Sequence, residues 1–385
     1  VWWWALLGCG GADDGLVERP HTGVESADSA TNTGLSCRDE EWLAGAYWAT
    51  LGTLNPADPG WSATSLALDA AGVPLVLVQE PSAASVRRGT ALEPVLRWDA
   101  ATGSVLAVVD DVTWIGGARR GRPAVAWSDG GPLSALELEP ASGAVTAGPV
   151  VVGDEWWFAG WTAGAGGAPE LAVWAVGGDA ARRVFTDAPL PVDDVDGRVE
   201  AGWLGLLPDG RVGLGVGVAP GAGGGAARLL AHDGSTFRGV AELPADPAVG
   251  VFVGVEPSGT GWEVGWRGLG TPGWRVYGGP VGDPLAAQVD GDDTGVLSVV
   301  RAHPSGARFA AGSRTAAGEE HPAPFVRLGA TDGRWSTSLD ARAPFPGWIQ
   351  DLAVDPNGCV WALCLYASDG VDASDIVLVS LECRV

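Results

Sequence analysis

The sequence predicts an all-β fold, a closed β-propeller of seven four-stranded blades, and three observations predict it. One hairpin is written five times: SLALDAAGVPLVLVQ from Ser65, WLGLLPDGRVGLGVGV from Trp203, VFVGVEPSGTGWEVGW from Val251, LSVVRAHPSGARFAAG from Leu297 and DLAVDPNGCVWALCLY from Asp351. Each is an alternating apolar run, a four-residue turn ending in glycine, and a second alternating run. Four of the five turns read x-Pro-[Asp/Ser/Asn]-Gly, in which proline presets φ and glycine takes the positive φ that closes the hairpin. The turn glycines then recur at Gly72, Gly121, near Gly166, Gly210, Gly259, Gly306 and Gly358, about 44 to 52 residues apart, a period that fits four short strands per unit. Finally, the ends are complementary. The last unit has a hairpin over 351–366 and a third strand from Asp375 but stops one strand short, whereas AYWATLGTL, Ala46 to Leu54, is an alternating strand with no unit of its own.

A lone four-stranded sheet has two apolar faces and cannot hide either from water, so stacking each face on a neighbour around an axis is the stable arrangement. Placing Ala46–Leu54 beside the last strand completes blade seven and closes the ring with both chain ends. Between the repeated hairpins lies a second set, read as outer hairpins, with turns around Gly103, Gly143, Gly178, Gly234 and Gly333. Blade three, from about Asp154 to Asp194, fits least well, because TAGAGGAPE stands where a first turn is expected. The segment WDAATGSVL around Asp99 resembles the outer-hairpin turn of quinoprotein-type propeller repeats. That resemblance implies the fold and supplies no quinone site.

In order along the chain, residues 1–9 read VWWWALLGC, and the apolar run ending Leu6-Leu7-Gly8-Cys9 resembles the lipobox of bacterial lipoproteins. The resemblance implies a signal-peptide remnant, a lipid on Cys9, and a place in the cell envelope outside the cytoplasm. Gly10, rather than an aspartate, favours the outer membrane by the enterobacterial sorting pattern. Residues 10–40 are acidic and rich in Gly, Ser, Thr and Ala, with little to bury, and read as a disordered tether able to hold the body roughly 30 Å from a bilayer. Residues 41–385 form the propeller.

Composition narrows the function. A net charge of −24 disfavours nucleic acid and anionic lipid surfaces, so membrane contact is expected through the lipid anchor alone. Lysine is absent, which excludes a Walker A loop, a Schiff base and a lysine general base. The four histidines, His21, His232, His303 and His321, show no metal spacing and read as exposed tether, turn or loop residues. No Cys-x-x-Cys, His-Glu-x-x-His or Gly-x-Ser-x-Gly occurs.

Cysteines bear on the closing blade. Cys359 and Cys364 are five apart on one strand and cannot join each other, whereas Cys37, Cys359 and Cys383 gather at one end of blade seven. One disulfide is expected there, from Cys37 or Cys359 to Cys383.

Acidic residues stand at every stretch read as a link between blades: Asp58; Asp110 and Asp111; Asp154 and Glu155; Asp193, Asp194 and Asp196; Asp246; Asp290, Asp292 and Asp293; Asp340. If these share one end of the ring, that end suits a cation or a cationic partner. VDDVDG (192–197) and VDGDDTG (289–295) are the best calcium candidates, through Asp193, Asp194, Asp196, Asp290, Asp292 and Asp293, although neither has the EF-hand spacing. The tryptophans at 98, 114, 127, 174, 203, 262, 266, 335 and 361 fall on expected strands and read as packing between blades.

The expectation is a monomeric, lipid-anchored envelope protein that binds or scaffolds an envelope or extracellular protein or glycan, with no cofactor expected and calcium only as a candidate at the acidic links. The alternative is a lyase or hydrolase on the same scaffold, acting on a glycan or similar substrate and calcium-assisted.

Overall fold

The computed structural model describes residues 47–54, 61–164, 166–189, 203–216, 228–242, 250–258, 261–268, 274–280, 286–290, 295–304, 306–315, 322–329, 335, 346–355, 358–366 and 375–382. The first strand is β1 (Tyr47–Leu54). Blade 1 holds β2 (Ser62–Leu68), β3 (Pro74–Glu80), β4 (Ala83–Arg88) and β5 (Glu93–Asp99). Blade 2 holds β6 (Ala101–Val109), β7 (Val112–Arg119), β8 (Arg122–Ser128) and β9 (Ser134–Glu137). Blade 3 holds β10 (Gly143–Val152), β11 (Glu155–Ala163), β12 (Pro169–Gly177) and β13 (Ala180–Pro189). Blade 4 holds β14 (Trp203–Leu206), β15 (Val212–Val216), β16 (Arg228–His232) and β17 (Phe237–Glu242). Blade 5 holds β18 (Gly250–Ser258), β19 (Gly261–Gly268), β20 (Trp274–Pro280) and β21 (Ala286–Asp290). Blade 6 holds β22 (Gly295–Ala302), β23 (Arg308–Arg314) and β24 (Ala323–Gly329), with a single bridge from Gly329 to Trp335 at the fourth-strand position. Blade 7 holds β25 (Gly347–Val354), β26 (Val360–Tyr366) and β27 (Asp375–Glu382).

Every sheet is an antiparallel meander in chain order, and the seventh is completed by β1, which pairs with β27 from Tyr47↔Glu382 to Leu54↔Ile376. The first strand of each blade touches the first strands of its two neighbours, and β25 touches β2. The ring is therefore a closed seven-bladed propeller, with its first and last described strands in one sheet. Central strands are buried on both faces, as Leu171–Val176 of β12 illustrate, whereas the outer strand β5 is mostly exposed. The apolar clusters lie between adjacent blades, so each blade's core is half its neighbour's.

The repeated turn forms as its residues dictate. In blades 1, 4, 6 and 7 the turn glycine donates to the carbonyl three residues back: Gly72 to Asp69 (2.9 Å), Gly210 to Leu207 (2.9 Å), Gly306 to His303 (2.8 Å) and Gly358 to Asp355 (3.0 Å). Those glycines have φ of 75, 80, 88 and 90°, in the left-handed region.

Blades 2 and 3 are phased differently from the expectation. Their first turns are two-residue turns at Asp110-Asp111 and Gly153-Asp154, and Gly121 and the Gly164–Ala168 segment instead join the second strand to the third. Asp110 and Asp111 both take positive φ, 50 and 61°, as a type I′ turn requires. The stretches around Gly103 and Gly143, including the quinoprotein-like one, are consequently links between blades and not outer-hairpin turns. Those around Gly178 and Gly234 are outer-hairpin turns as expected.

Six first strands carry a one-residue bulge at the same height, between Ala63/Ser65, Gly103/Val105, Val145/Ala147, Phe252/Gly254, Leu297/Val299 and Ile349/Asp351. Beside it a hydrogen-bonded belt crosses the seam where the chain ends meet. Asp351 Oδ1 accepts from Arg301 Nη2 (2.9 Å) and Leu352 N (2.9 Å), and Oδ2 accepts from Leu66 N (3.0 Å) and Ser65 Oγ (3.2 Å). Ser65 Oγ in turn accepts from Leu106 N at 3.2 Å. One carboxylate thus joins blades 6, 7 and 1, and through Ser65 reaches blade 2. A second buried charge pair, Arg308 Nε to Glu263 Oε2 at 2.8 Å, joins blades 5 and 6.

Replacing Asp351 by Ala leaves a partly buried guanidinium and two backbone N–H groups without their acceptor. We expect it to lower unfolding free energy by about 3 to 5 kcal/mol in urea titration, against about 1 kcal/mol for Ser65→Ala.

Candidate functional site

In this meander the links between blades open on the same face as the turns between second and third strands, and the first and third turns of each blade open on the opposite, turn face. Hydrogen bonds on the link face confirm the grouping, from Ala100 N to Ser82 O (2.9 Å) and from Gly143 N to Gly121 O (3.0 Å). Asp110, Asp111, Asp154 and Glu155 therefore do not join a ring of acidic links. They lie at first turns on the turn face. The link from blade 2 to blade 3 carries Glu139, whose carboxylate accepts from Trp174 Nε1 (2.9 Å) and Thr162 Oγ1 (3.1 Å) and pairs with Arg183 Nε (2.9 Å). Asp58, Asp193, Asp194, Asp196, Asp246, Asp292, Asp293 and Asp340 lie outside the described residues, and Asp290 is described only as the last residue of β21. Among the described residues no cluster has a metal-ligand arrangement.

Cys9, Cys37 and Cys383 lie outside the described residues as well. Cys359 is exposed beside the blade 7 turn, and its N–H donates to Asp355 Oδ1 at 2.8 Å. Cys364 is buried in the core shared by blades 6 and 7, where burial pushes its thiol far above the usual value and leaves it inert. His303 is not an exposed turn residue. It is 3% exposed, and its Nε2 lies 3.1 Å from the Gly358 carbonyl of the neighbouring turn. His232 is half-buried against Trp157, with ring centroids 4.8 Å apart, and burial lowers its pKa.

Two places gather polar chemistry. The first is the belt on the inner strands. Arg301 donates Nε to Leu352 O (3.1 Å), Nη1 to Val300 O (3.1 Å) and Nη2 to Asp351, so its fork is taken up by the fold. Burial raises the pKa of Glu256, while the Arg301 charge and the Ala302 backbone bond pull it down.

The second is a cleft between blades 2 and 3 on the turn face, a cavity of about 310 Å³. Three tryptophans line it. Trp114 and Trp127 are direct cross-strand partners on β7 and β8, so both side chains face blade 3, and their rings stack at 5.3 Å. Trp156 faces them from β11 at 5.0 Å from Trp114. Adjacent residues on a strand point to opposite faces, so Trp157 turns away toward His232 of blade 4. Trp114 is 2% exposed and its Nε1 has no hydrogen-bond partner among the described residues, whereas Trp127 and Trp156 are half-buried. Ser128, Asp129, Pro132 and Ser134 from the blade 2 outer turn, and Gly178 and Asp179 from that of blade 3, form the rim. Sequence reasoning had Trp114 and Trp127 as packing and passed over Trp156. The signal was the pair Trp156-Trp157, hidden when Asp154-Glu155 was read as a link.

The Glu256 carboxylate gives a pH signature. Its folded pKa lies above its usual 4.5, so ionisation disfavours the folded state. Measured against Glu256→Gln, wild-type stability should be lowest above that raised pKa and rise as pH falls through it toward 4.5. Urea midpoints of both proteins from neutral pH downward should show the gap between them closing.

The chain matches no protein-family model, and no curated protein matches it. Solved structures do resemble it. One is described as a streptogramin B lyase, with TM-score 0.51 and 12% identity over 89% of this chain and 100% of that one. Another is a catalytically inactive virginiamycin B lyase from Staphylococcus aureus with quinupristin, with TM-score 0.56 and 9% identity over 88% of this chain and 100% of that one. At such identity the likeness is one of fold, and it places this chain among the β-propellers.

Proposed function

We propose that this chain is a binding module of the bacterial cell envelope, anchored by lipid on Cys9 and meeting an envelope or extracellular protein or glycan through the cleft between blades 2 and 3. The cleft carries the reading. Pockets of this size lined by aromatic faces with a few polar groups at the rim are the usual form of ligand sites. The charged groups of the inner-strand belt are bonded to one another across blades, which supports a structural role for them. The Leu6-Leu7-Gly8-Cys9 sequence and the polar stretch after it support the anchor, and Gly10 supports the outer membrane as destination. Calcium at Asp193, Asp194, Asp196, Asp290, Asp292 and Asp293 is a separate proposal, settled by calorimetry with millimolar calcium.

The alternative, a lyase or hydrolase acting on an extracellular substrate, draws support from the architecture shared with the two lyases, which speaks to fold alone.

Two measurements test the proposal. Cells expressing the full-length protein should incorporate labelled palmitate, and Cys9→Ser should remove the label and release the protein from the membrane fraction. Envelope extract passed over the immobilised protein should yield a partner that the double variant Trp127→Ala, Trp156→Ala no longer retains. Equal capture by the variant would move the binding surface elsewhere.

A further inference from the structure

We propose that the tryptophan cleft between blades 2 and 3 is a site for an organic cation, an alkylated ammonium group in particular. This rests on the binding role argued above and names the chemistry that the site takes.

The lining has one electrostatic character. Trp127 and Trp156 leave part of their rings open to the cavity, and a ring face is the negative pole of the aromatic quadrupole. The polar rim adds acceptors. Asp129 and Asp179 are both exposed. Asp129 Oδ1 accepts a 3.2 Å bond from Gly131 N, and among the described residues its Oδ2 has no hydrogen bond or ion pair. Ser128 Oγ is taken up inside its own turn, donating to Gly131 O (2.8 Å) and accepting from Gly130 N (3.2 Å), so it is not offered to a ligand. The charged groups lining the cavity are carboxylates, and together with the open ring faces they favour a cation over a neutral ligand.

Among the described residues, no basic residue lines the cavity. Arg182, three residues beyond Asp179, is held by Glu155 through Nη2 to Oε2 (2.7 Å) and Nε to Oε1 (3.2 Å), and this clamp lowers the Glu155 pKa. The surroundings have the same sign. Exposed Asp110, Asp111 and Asp154 stand at the first turns of the two blades on this face, whereas Arg119, Arg120 and Arg122 of blade 2 sit at the other end, on the link face. With a net charge of −24 behind it, the cleft lies in a field that draws cations, and its desolvated indole floor favours one whose charge is spread over methyl groups.

Calorimetry on the whole folded protein tests the proposal, with choline and its uncharged carbon isostere as probes. Choline should bind at one site, and the isostere about tenfold more weakly or worse. Trp156→Ala should abolish choline binding. Asp179→Asn, an exposed change that leaves the core intact, should weaken it and flatten its salt dependence. Equal affinity for the two probes, no choline heat, or choline binding indifferent to both variants would overturn the assignment. If cleft variants lose the envelope partner while choline neither binds nor competes with it, the cleft keeps its binding role and the cation assignment falls. If the variants capture the partner as the wild type does, the broader reading falls with it.

Discussion

Ring closure is the constraint on which this structure depends. Each blade buries both faces, and each apolar cluster is assembled from two blades, so no blade has a core of its own. Burial of apolar surface, at about 25 cal/mol per Å², is realised only when the last blade meets the first. Two devices act at that seam. The β1–β27 pairing puts the two ends of the propeller in one sheet, so parting blade 7 from blade 1 requires breaking a strand ladder as well as an apolar contact. Asp351 accepts from Arg301 on one side and from Leu66 and Ser65 on the other, tying the closing blade to both neighbours in a place shielded from water.

The sequence made this architecture legible because its strongest signals are local. The Pro-x-Gly turns fix a hairpin within a few residues, their spacing fixes the repeat, and the unpaired strands at the two ends fix the closure. What stayed hidden depends on weaker turns or on distance. A type I′ turn of two aspartates carries neither proline nor glycine, so the first turn of blade 2 went unseen and the nearby Gly121 took its place. The slip carried into blade 3 and put Asp154 and Glu155 on the wrong face. Gly117 and Gly312 lie within β7 and β23. In the fold a Cβ at either would collide with the carbonyl of Thr102 or Val296, beside the bulge of the facing strand. Glu263 and Arg308 are 45 positions apart, and His303 reaches Gly358 in another blade. No periodicity announces either pairing.

Correcting the phase changes the functional picture as well as the topology. With Asp110, Asp111 and Asp154 moved to the turn face, acidic character in blades 2 and 3 concentrates where the tryptophan cleft opens. On the link face, Glu139, in the link between these blades, is engaged by Arg183 and Thr162 of blade 3, and Glu80 of blade 1 by Arg87, Arg97 and Ser85 of its own blade. The Glu139 carboxylate is thus satisfied on the link face of this seam, whereas Asp110, Asp111 and Asp154 stand exposed on the turn face.

The neighbouring seam shows why the opening falls between blades 2 and 3. Between blades 3 and 4, the adjacent residue Trp157 meets His232 at 4.8 Å and Phe237 at 6.2 Å, and Phe237 meets Phe185 at 5.0 Å, so rings from both blades fill the wedge. Between blades 2 and 3, Trp114 meets Phe158 at 5.5 Å deeper in the seam, and toward the turn face only Trp127 and Trp156 remain, flanking the gap. β9, Ser-Ala-Leu-Glu, contributes no aromatic equivalent to Phe185 or Phe237; its Leu136 packs in the seam, and Ser128, Asp129, Pro132 and Ser134 stand at the opening. A wedge that widens outward must be plugged by large outer-strand side chains or remain open. At this seam the sequence places small and acidic residues where the plug would stand, so the same geometry that stabilises the other seam leaves an aromatic-walled site.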